Sequence, residues 1–231
     1  MLEETLARWG MTINRSQEAQ LVQYASELRT WNERVNLTAI IDDEGITTRH
    51  FLDSLACALY WGATPARLID VGTGAGFPGL PLKILYPELR LTLVESVEKK
   101  AAFLRHIVAE LGLTHVDVVV ARAEVLGHDT AYREQFDVAV ARAVADLRVL
   151  AEYCLPLCRV GGRFLAPKGG QAQLEIAQAA RAITELGGQL RAVASVALPH
   201  LEPRLLVIID KIAPTLADYP RATGIPTKRP L

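Results

Sequence analysis

A chain of 231 residues, 50% hydrophobic and 22% charged, is long enough to fill one α/β core and carry an extension. Its formal net charge of −1 argues against a non-specific nucleic-acid binder, so any RNA contact must be local and shaped. No apolar run approaches the ~20 residues of a membrane span, and Met1-Leu-Glu-Glu lacks a basic start, so a cytoplasmic protein without a membrane partner is expected.

Residues 1–62 read as a helical extension. Ser16 is the expected cap of a helix whose apolar residues Ala19, Leu21, Val22, Ala25, Leu28 and Trp31 fall at helical spacing. Asn32 to Asn36 closes it, and a second helix is expected from Ile46 to Trp61. Gly62 to Pro65 joins this extension to a domain spanning 63–213.

That domain opens with Leu-Ile-Asp-Val-Gly-Thr-Gly-Ala-Gly-Phe-Pro-Gly, residues 68–79. A buried strand runs into a turn of Gly72, Gly74, Gly76 and Gly79, and a second strand ends on Glu95 and Ser96. Glycines let the backbone turn and approach a ligand, while an acid after the next strand can accept from ribose hydroxyls, which is how a doubly wound sheet holds an adenosine nucleoside. Gly74 to Gly79 also matches the dinucleotide pattern GxGxxG. Against that reading stand Asp70 before the first glycine, the alternating Gly72, Gly74, Gly76, and Pro78 and Pro81 in the next helix's first turn. These features suit S-adenosylmethionine. Phe77 is either core or a wall of the adenosine pocket.

Strands are then expected near 90–94, 115–121, 136–141 and 162–166, with helices near 79–86, 97–111, 145–158 and 170–186. Such alternation calls for a parallel sheet with helices on both faces. Gln189–Leu198 and Arg204–Ile212 are separated by too few residues for a crossover and must pair antiparallel. A mostly parallel seven-stranded sheet ending in an antiparallel hairpin is the Rossmann-like, class I methyltransferase architecture. The tail, 214–231, has three prolines after Pro214 and is expected to trail irregularly. Cys57, Cys154 and Cys158 are read as reduced core thiols, and no zinc set or other metal site is expected.

Ligands of such sheets bind outside the strand carboxyl ends. The third end offers Ala123 and Glu124, the latter either an acceptor for an adenine amino group or a helix-start acid. The fourth gives Arg142 after a wholly apolar strand, where an arginine is poised at a ligand or paired. It carries no Asn/Asp-Pro-Pro-aromatic grip for an amino nitrogen and no Pro-Cys nucleophile. The fifth gives Lys168 and Gly170, with Lys168 either a phosphate contact or solvated. Lys99 and Lys100, with Arg105, are either a basic helix face beside the same mouth or an ordinary solvated one.

Asn36-Leu-Thr38, Arg49-His50-Phe-Leu-Asp53-Ser54, Asp70 to Gly79, Ala141-Arg142-Ala143 and Pro167-Lys168-Gly169 occur in this order. Together they resemble the bacterial small-subunit ribosomal RNA guanine-N7 methyltransferases, the glucose-inhibited division protein B family. The likeness runs from about residue 10 to 212. It implies methyl transfer from S-adenosylmethionine to N7 of one guanine in the 530 loop of 16S ribosomal RNA, as naked RNA or within the small subunit. It places cofactor contacts on Gly72, Phe77, Glu95, Ala123, Glu124 and Arg142. Asn36, Arg49, His50, Asp53, Ser54 and Lys168 fall on the RNA side. Guanine N7 has a free lone pair and no proton, so no general base is expected; Arg142, His50 and Asp53 would position the substrate. A monomer is expected. The residues alone leave three rivals open: an NAD-dependent oxidoreductase, a nucleoside sensor that transfers nothing, and a methyltransferase for a small acceptor.

Overall fold

The computed structural model describes residues 1–142, 145–169 and 172–231. The extension begins with α1 (Leu2–Arg8) and α2 (Arg15–Asn32). The cap of α2 is Asn14 rather than Ser16: Asn14 Oδ1 accepts from Gln17 N, and Gln17 Oε1 accepts from Asn14 N, each at 2.9 Å. This reciprocal box satisfies two orphan donors, which a serine two residues later cannot. Gln17 Nε2 also donates to the carbonyls of Ile84 and Leu85, and Gln20 Nε2 to that of Leu111, so α2 closes the ends of two later helices.

The helix expected over 46–61 is instead composite. A short α3 (Asp43–Gly45) leads into a π-helix, Ile46–Leu52, then α4 (Asp53–Leu55) and a 3₁₀ turn, Ala56–Leu59. Wide π turns alter which side chains share a face, and they recur at functional sites. This one carries Arg49 and His50.

The sheet then follows: β1 (Arg67–Val71), α5 (Gly79–Leu85), β2 (Arg90–Glu95), α6 (Glu98–Glu110), β3 (Val116–Val120), α7 (Ala123–Leu126), β4 (Phe136–Val140), α8 (Leu147–Cys154) and β5 (Cys158–Lys168). It ends with α9 (Gln173–Gln178), α10 (Ala180–Glu185), β6 (Gly188–Val196) and β7 (Arg204–Lys211). Strand order is β3-β2-β1-β4-β5-β7-β6; β7 pairs antiparallel with both β5 and β6, and the other pairings are parallel. The expected architecture is borne out. Two boundaries differ: the helix expected over 170–186 is broken at Ala179, and Cys158 starts β5 rather than ending a helix. All three cysteines are free and buried.

Two apolar clusters sandwich the sheet. One joins Leu21, Tyr24, Leu28 and Leu52 of the extension to Leu80 and Phe103. The other packs α8, α9 and α10 on the opposite face through residues such as Leu150, Ile176 and Ile183.

The tail does not trail. Arg133 donates to the carbonyls of Thr215, Leu216 and Tyr219, and Arg221 forms a two-pronged pair with fully buried Glu152 at 2.9 and 2.7 Å. A four-residue α11 (Ile225–Lys228) follows. Fixed partners on the core, a donor at Arg133 and an acceptor at Glu152, hold it down and are invisible as a pattern in the tail itself.

Candidate functional site

Two cavities open at the carboxyl ends of adjacent strands. The first, about 320 Å³, lies over β1, β2 and β3 and is lined by Gly72, Ser96, Ala123, Glu124, Tyr153 and Thr227 among others. The second, about 510 Å³, lies beside Arg142 at the end of β4 and is walled by Arg49, His50, Asp53, Glu202 and Arg204.

The glycine turn is shaped from both sides. Gly76 has φ +98°, and a Cβ there would meet Leu80 Cδ1 at 2.4 Å and the Tyr24 hydroxyl at 2.6 Å, so only glycine fits. The Tyr24 hydroxyl itself donates to the Ala75 carbonyl. Asp70 is fully buried; its Oδ2 accepts from Thr73 Oγ1 at 2.6 Å and Gly79 N at 2.8 Å, while Oδ1 has no partner among the described residues. Burial raises its pKa to about 6 against those two hydrogen bonds. Glu95 accepts from Gly74 N at 3.1 Å and Val97 N at 2.8 Å, tying the end of β2 to the turn.

Glu124 is 3% exposed. Its Oε1 accepts from Gly224 N at 2.9 Å, and its Oε2 has no partner among the described residues. Burial works to raise this carboxyl, but the Gly224 and Glu124 amides and the Arg122 charge hold it below its usual range, hence ionised.

In the second cavity Arg142 organises its neighbours. It donates to the Arg49 carbonyl at 2.7 Å, Asp53 Oδ2 at 3.0 Å and His50 Nδ1 at 3.1 Å, and its guanidinium lies 5.1 Å from the Phe77 ring centroid. Because Arg142 can only donate, His50 Nδ1 is the acceptor and Nε2 carries the proton, which it gives to Thr38 Oγ1 at 2.9 Å. Burial, helped by the Arg142 charge, lowers the His50 pKa to about 3, so the ring is neutral. It stacks on Phe77 with centroids 4.3 Å apart. Asp53 accepts a second arginine, Arg204 Nε, at 3.3 Å.

Of the expected site residues, Gly72, Ser96, Ala123 and Glu124 line the first cavity and Arg49, His50, Asp53 and Arg142 the second, with informative departures. Phe77 lies under His50 and against Tyr24 instead of on the wall of the first cavity. Ser54 is fully buried and donates to the His50 carbonyl, so it faces the helix and not RNA. Lys168 is 8% exposed, donating to the Ala145 carbonyl at 2.8 Å and pairing with Glu175; it braces the loop after β4 rather than meeting a phosphate. Lys99 and Lys100 line neither cavity, and Asn36 is an exposed loop residue outside both. Ala143 and Gly170 lie outside the described residues.

Sequence reasoning missed Tyr24, Asn32, Glu202, Arg204 and the tail. Tyr24 was detectable as a buried-stripe position between Leu21 and Leu28. Asn32, which accepts from the amides of Leu37 and Thr38 and thereby shapes the loop under His50, passes for an ordinary helix end. Glu202 and Arg204 reach the cavity only because β7 pairs with β5.

The GidB family, described as rRNA small subunit methyltransferase G, matches residues 17–203. Ribosomal RNA small subunit methyltransferase G of Roseiflexus sp. (strain RS-1) is 61% identical over 231 residues, covering 100% of this chain and 99% of the relative. The protein of that name from Chloroflexus aggregans (strain MD-66 / DSM 9485) is 55% identical over 231 residues, covering 100% and 97%. Geranyl diphosphate methyltransferase, solved in complex with SAM, shares the fold at a TM-score of 0.55 and 15% identity, covering 70% of this chain and 85% of that one. The resemblance carried by the motifs therefore holds: the chain belongs to the rRNA small subunit methyltransferase G family.

Proposed function

We propose that this chain transfers the methyl group of S-adenosylmethionine to N7 of one guanine in the 530 loop of 16S ribosomal RNA. The cofactor is S-adenosylmethionine. Its adenosine would occupy the first cavity, with Gly72 and Gly74 beneath it, Glu95 and Ser96 at the ribose, and Ala123 and Glu124 at the base. The residues fit that group. Glu124 Oε2 is a buried, ionised acceptor without a partner among the described residues, and Glu124 lines the same cavity as Gly72, where the backbone turns at φ +69°.

The target guanine would enter the second cavity, next to Arg142. The observation that carries this reading is the commitment of the two titratable groups beside Arg142. His50 is neutral, its Nδ1 accepting from Arg142 and its Nε2 donating to Thr38, and Asp53 is held by two arginines. The His50 Nδ1 and both Asp53 oxygens already face arginine donors. An acceptor that needs no deprotonation matches such a site, and N7 of guanine attacks the sulfonium methyl directly with its own lone pair. As the methyl passes, positive charge moves from sulfur to the purine and no proton is exchanged. Catalysis then rests on holding the two reactants in line, an effect worth up to roughly 7–11 kcal/mol.

Glu202 and Arg204 favour guanine over other bases. A carboxylate accepts from the N1–H and N2–H₂ edge, and a guanidinium donates to O6. Glu202→Gln is expected to lower kcat/KM about tenfold with donor affinity unchanged. Unchanged kcat/KM in single-turnover assays would remove Glu202 from base recognition. The RNA side is thereby Arg49, His50, Arg142, Glu202 and Arg204, a small charged mouth consistent with a monomer acting on RNA presented by the small subunit or its precursor. No helix among the described residues is long and apolar enough to cross a membrane, and the reading places the enzyme in the cytoplasm with its substrate.

Donor affinity should depend on pH through Asp70. Its folded pKa of about 6 lies above the ordinary 3.8, so the empty fold binds the proton more readily than the unfolded chain does. Stability of the empty protein therefore falls as pH rises across that window. The donor's ammonium and sulfonium charges favour the ionised carboxylate, so its affinity should rise as pH climbs through about 6. Asp70→Asn should flatten that slope in calorimetric titrations; a wild-type affinity independent of pH would contradict the link.

The proposed activity is tested with labelled S-adenosylmethionine and small subunits from cells lacking this gene. Nucleoside digestion should release label only as 7-methylguanosine. Label in another nucleoside would sink the acceptor assignment.

A further inference from the structure

The family match ends at residue 203, yet the chain beyond it returns to the first cavity. Thr227 lines that cavity, and its Oγ1 lies 3.0 Å from the Tyr153 hydroxyl on α8. Gly224, at φ +82°, turns its N–H onto Glu124 Oε1 at 2.9 Å. The other oxygen of that carboxylate, Oε2, is buried and has no partner among the described residues. Both oxygens would be satisfied if a ligand donor met Oε2, and a buried acceptor left without one is costly.

We propose that residues 223–231 are a built part of the donor site and set its selectivity for adenine. Gly224 fixes the Glu124 carboxylate so that Oε2 accepts from the exocyclic 6-amino group, and Thr227, held by Tyr153, closes the cavity over the purine. This rests on the first cavity being the adenosine site. The chemistry discriminates sharply. Adenine presents a donor at position 6, whereas hypoxanthine presents a carbonyl oxygen, which a carboxylate repels. The segment is anchored upstream: the Arg221 pair with Glu152 and the Arg133 bonds to Thr215, Leu216 and Tyr219 all precede residue 223. Removing 223–231 therefore takes away the Gly224 and Thr227 contacts while leaving those clamps in place.

The test is calorimetric binding of S-adenosylhomocysteine and S-inosylhomocysteine to the full chain, to a chain lacking 223–231, and to Thr227→Val. The full chain should prefer the adenosyl compound by about tenfold or more, and the shortened chain should lose that preference and bind it about tenfold more weakly. Thr227→Val should weaken both compounds alike and keep their ratio. In the full chain, hydrogen exchange at 223–228 should slow when S-adenosylhomocysteine binds, a readout independent of whether the shortened chain folds. A folded shortened chain with full affinity and full preference, or exchange at 223–228 untouched by the ligand, would overturn the proposal while leaving the donor site intact. A full chain that binds neither compound would overturn the donor reading as well.

Discussion

Arg142→Lys should lower methyl transfer about a hundredfold while changing affinity for S-adenosylmethionine less than about fivefold. Arg142 satisfies three acceptors at once, the Arg49 carbonyl, Asp53 Oδ2 and His50 Nδ1, while its guanidinium carbon lies over the Phe77 ring. A lysine keeps the charge but cannot fork, so at most part of this set survives. His50 would lose the donor that fixes its tautomer, and Asp53, 4% exposed, would keep only Arg204 as a good partner. Because Arg142 lines the second cavity and not the first, the loss should appear in turnover more than in donor binding. Arg142→Ala should be worse for the fold, since removing one partner of a buried pair costs about 3–5 kcal/mol. Single-turnover rates with calorimetric donor binding separate the two effects. A fall in donor affinity equal to the fall in rate would move Arg142 to the cofactor side.

Gly76→Ala should destabilise the protein by about 3 kcal/mol, combining a left-handed backbone position with overpacking. The new methyl would press on Leu80 and on the Tyr24 hydroxyl, whose bond to the Ala75 carbonyl buttresses the turn. Affinity for S-adenosylhomocysteine should fall more than about tenfold, because the turn cannot keep its shape without displacing α2 or α5. Tyr24→Phe, which loses only the hydroxyl, should cost about 1 kcal/mol and leave binding largely intact. Urea unfolding and calorimetry report both quantities. A Gly76→Ala protein with native stability would mean that the turn is not braced by Tyr24 and Leu80.

What the sequence made legible is what depends on short-range pattern. The run from Leu68 to Gly79 and the acid at Glu95 locate the first cavity, because strand, turn and strand end are close in sequence and each residue type has one physical job there. The antiparallel ending was legible from the brief link between 198 and 204. Lys168 and Ser54 were misplaced for a common reason. Their partners, Glu175 with the Ala145 carbonyl and the His50 carbonyl, fix the direction of each side chain, and no spacing rule reveals that direction. The π-helix was hidden because its apolar residues still fit an ordinary helical stripe. The tail was hidden because its anchors, Arg133 and Glu152, are single residues far upstream, and prolines alone read as disorder. Arg142 is the instructive middle case. Its isolation after an apolar strand pointed to a ligand or a paired role, yet its partners His50 on the π-helix, Asp53 on α4 and Phe77 in the glycine turn come together only in the fold.

The most direct measurement maps the methyl group on the RNA. Small subunits from cells lacking this gene, treated with the enzyme and S-adenosylmethionine, are cleaved with borohydride and aniline at N7-methylguanine. A single new cut in the 530 loop, absent with Arg142→Lys at matched times, is the predicted result. A protein that binds the donor yet produces no cut there, or cuts elsewhere in 16S ribosomal RNA, would contradict the assignment of acceptor and target.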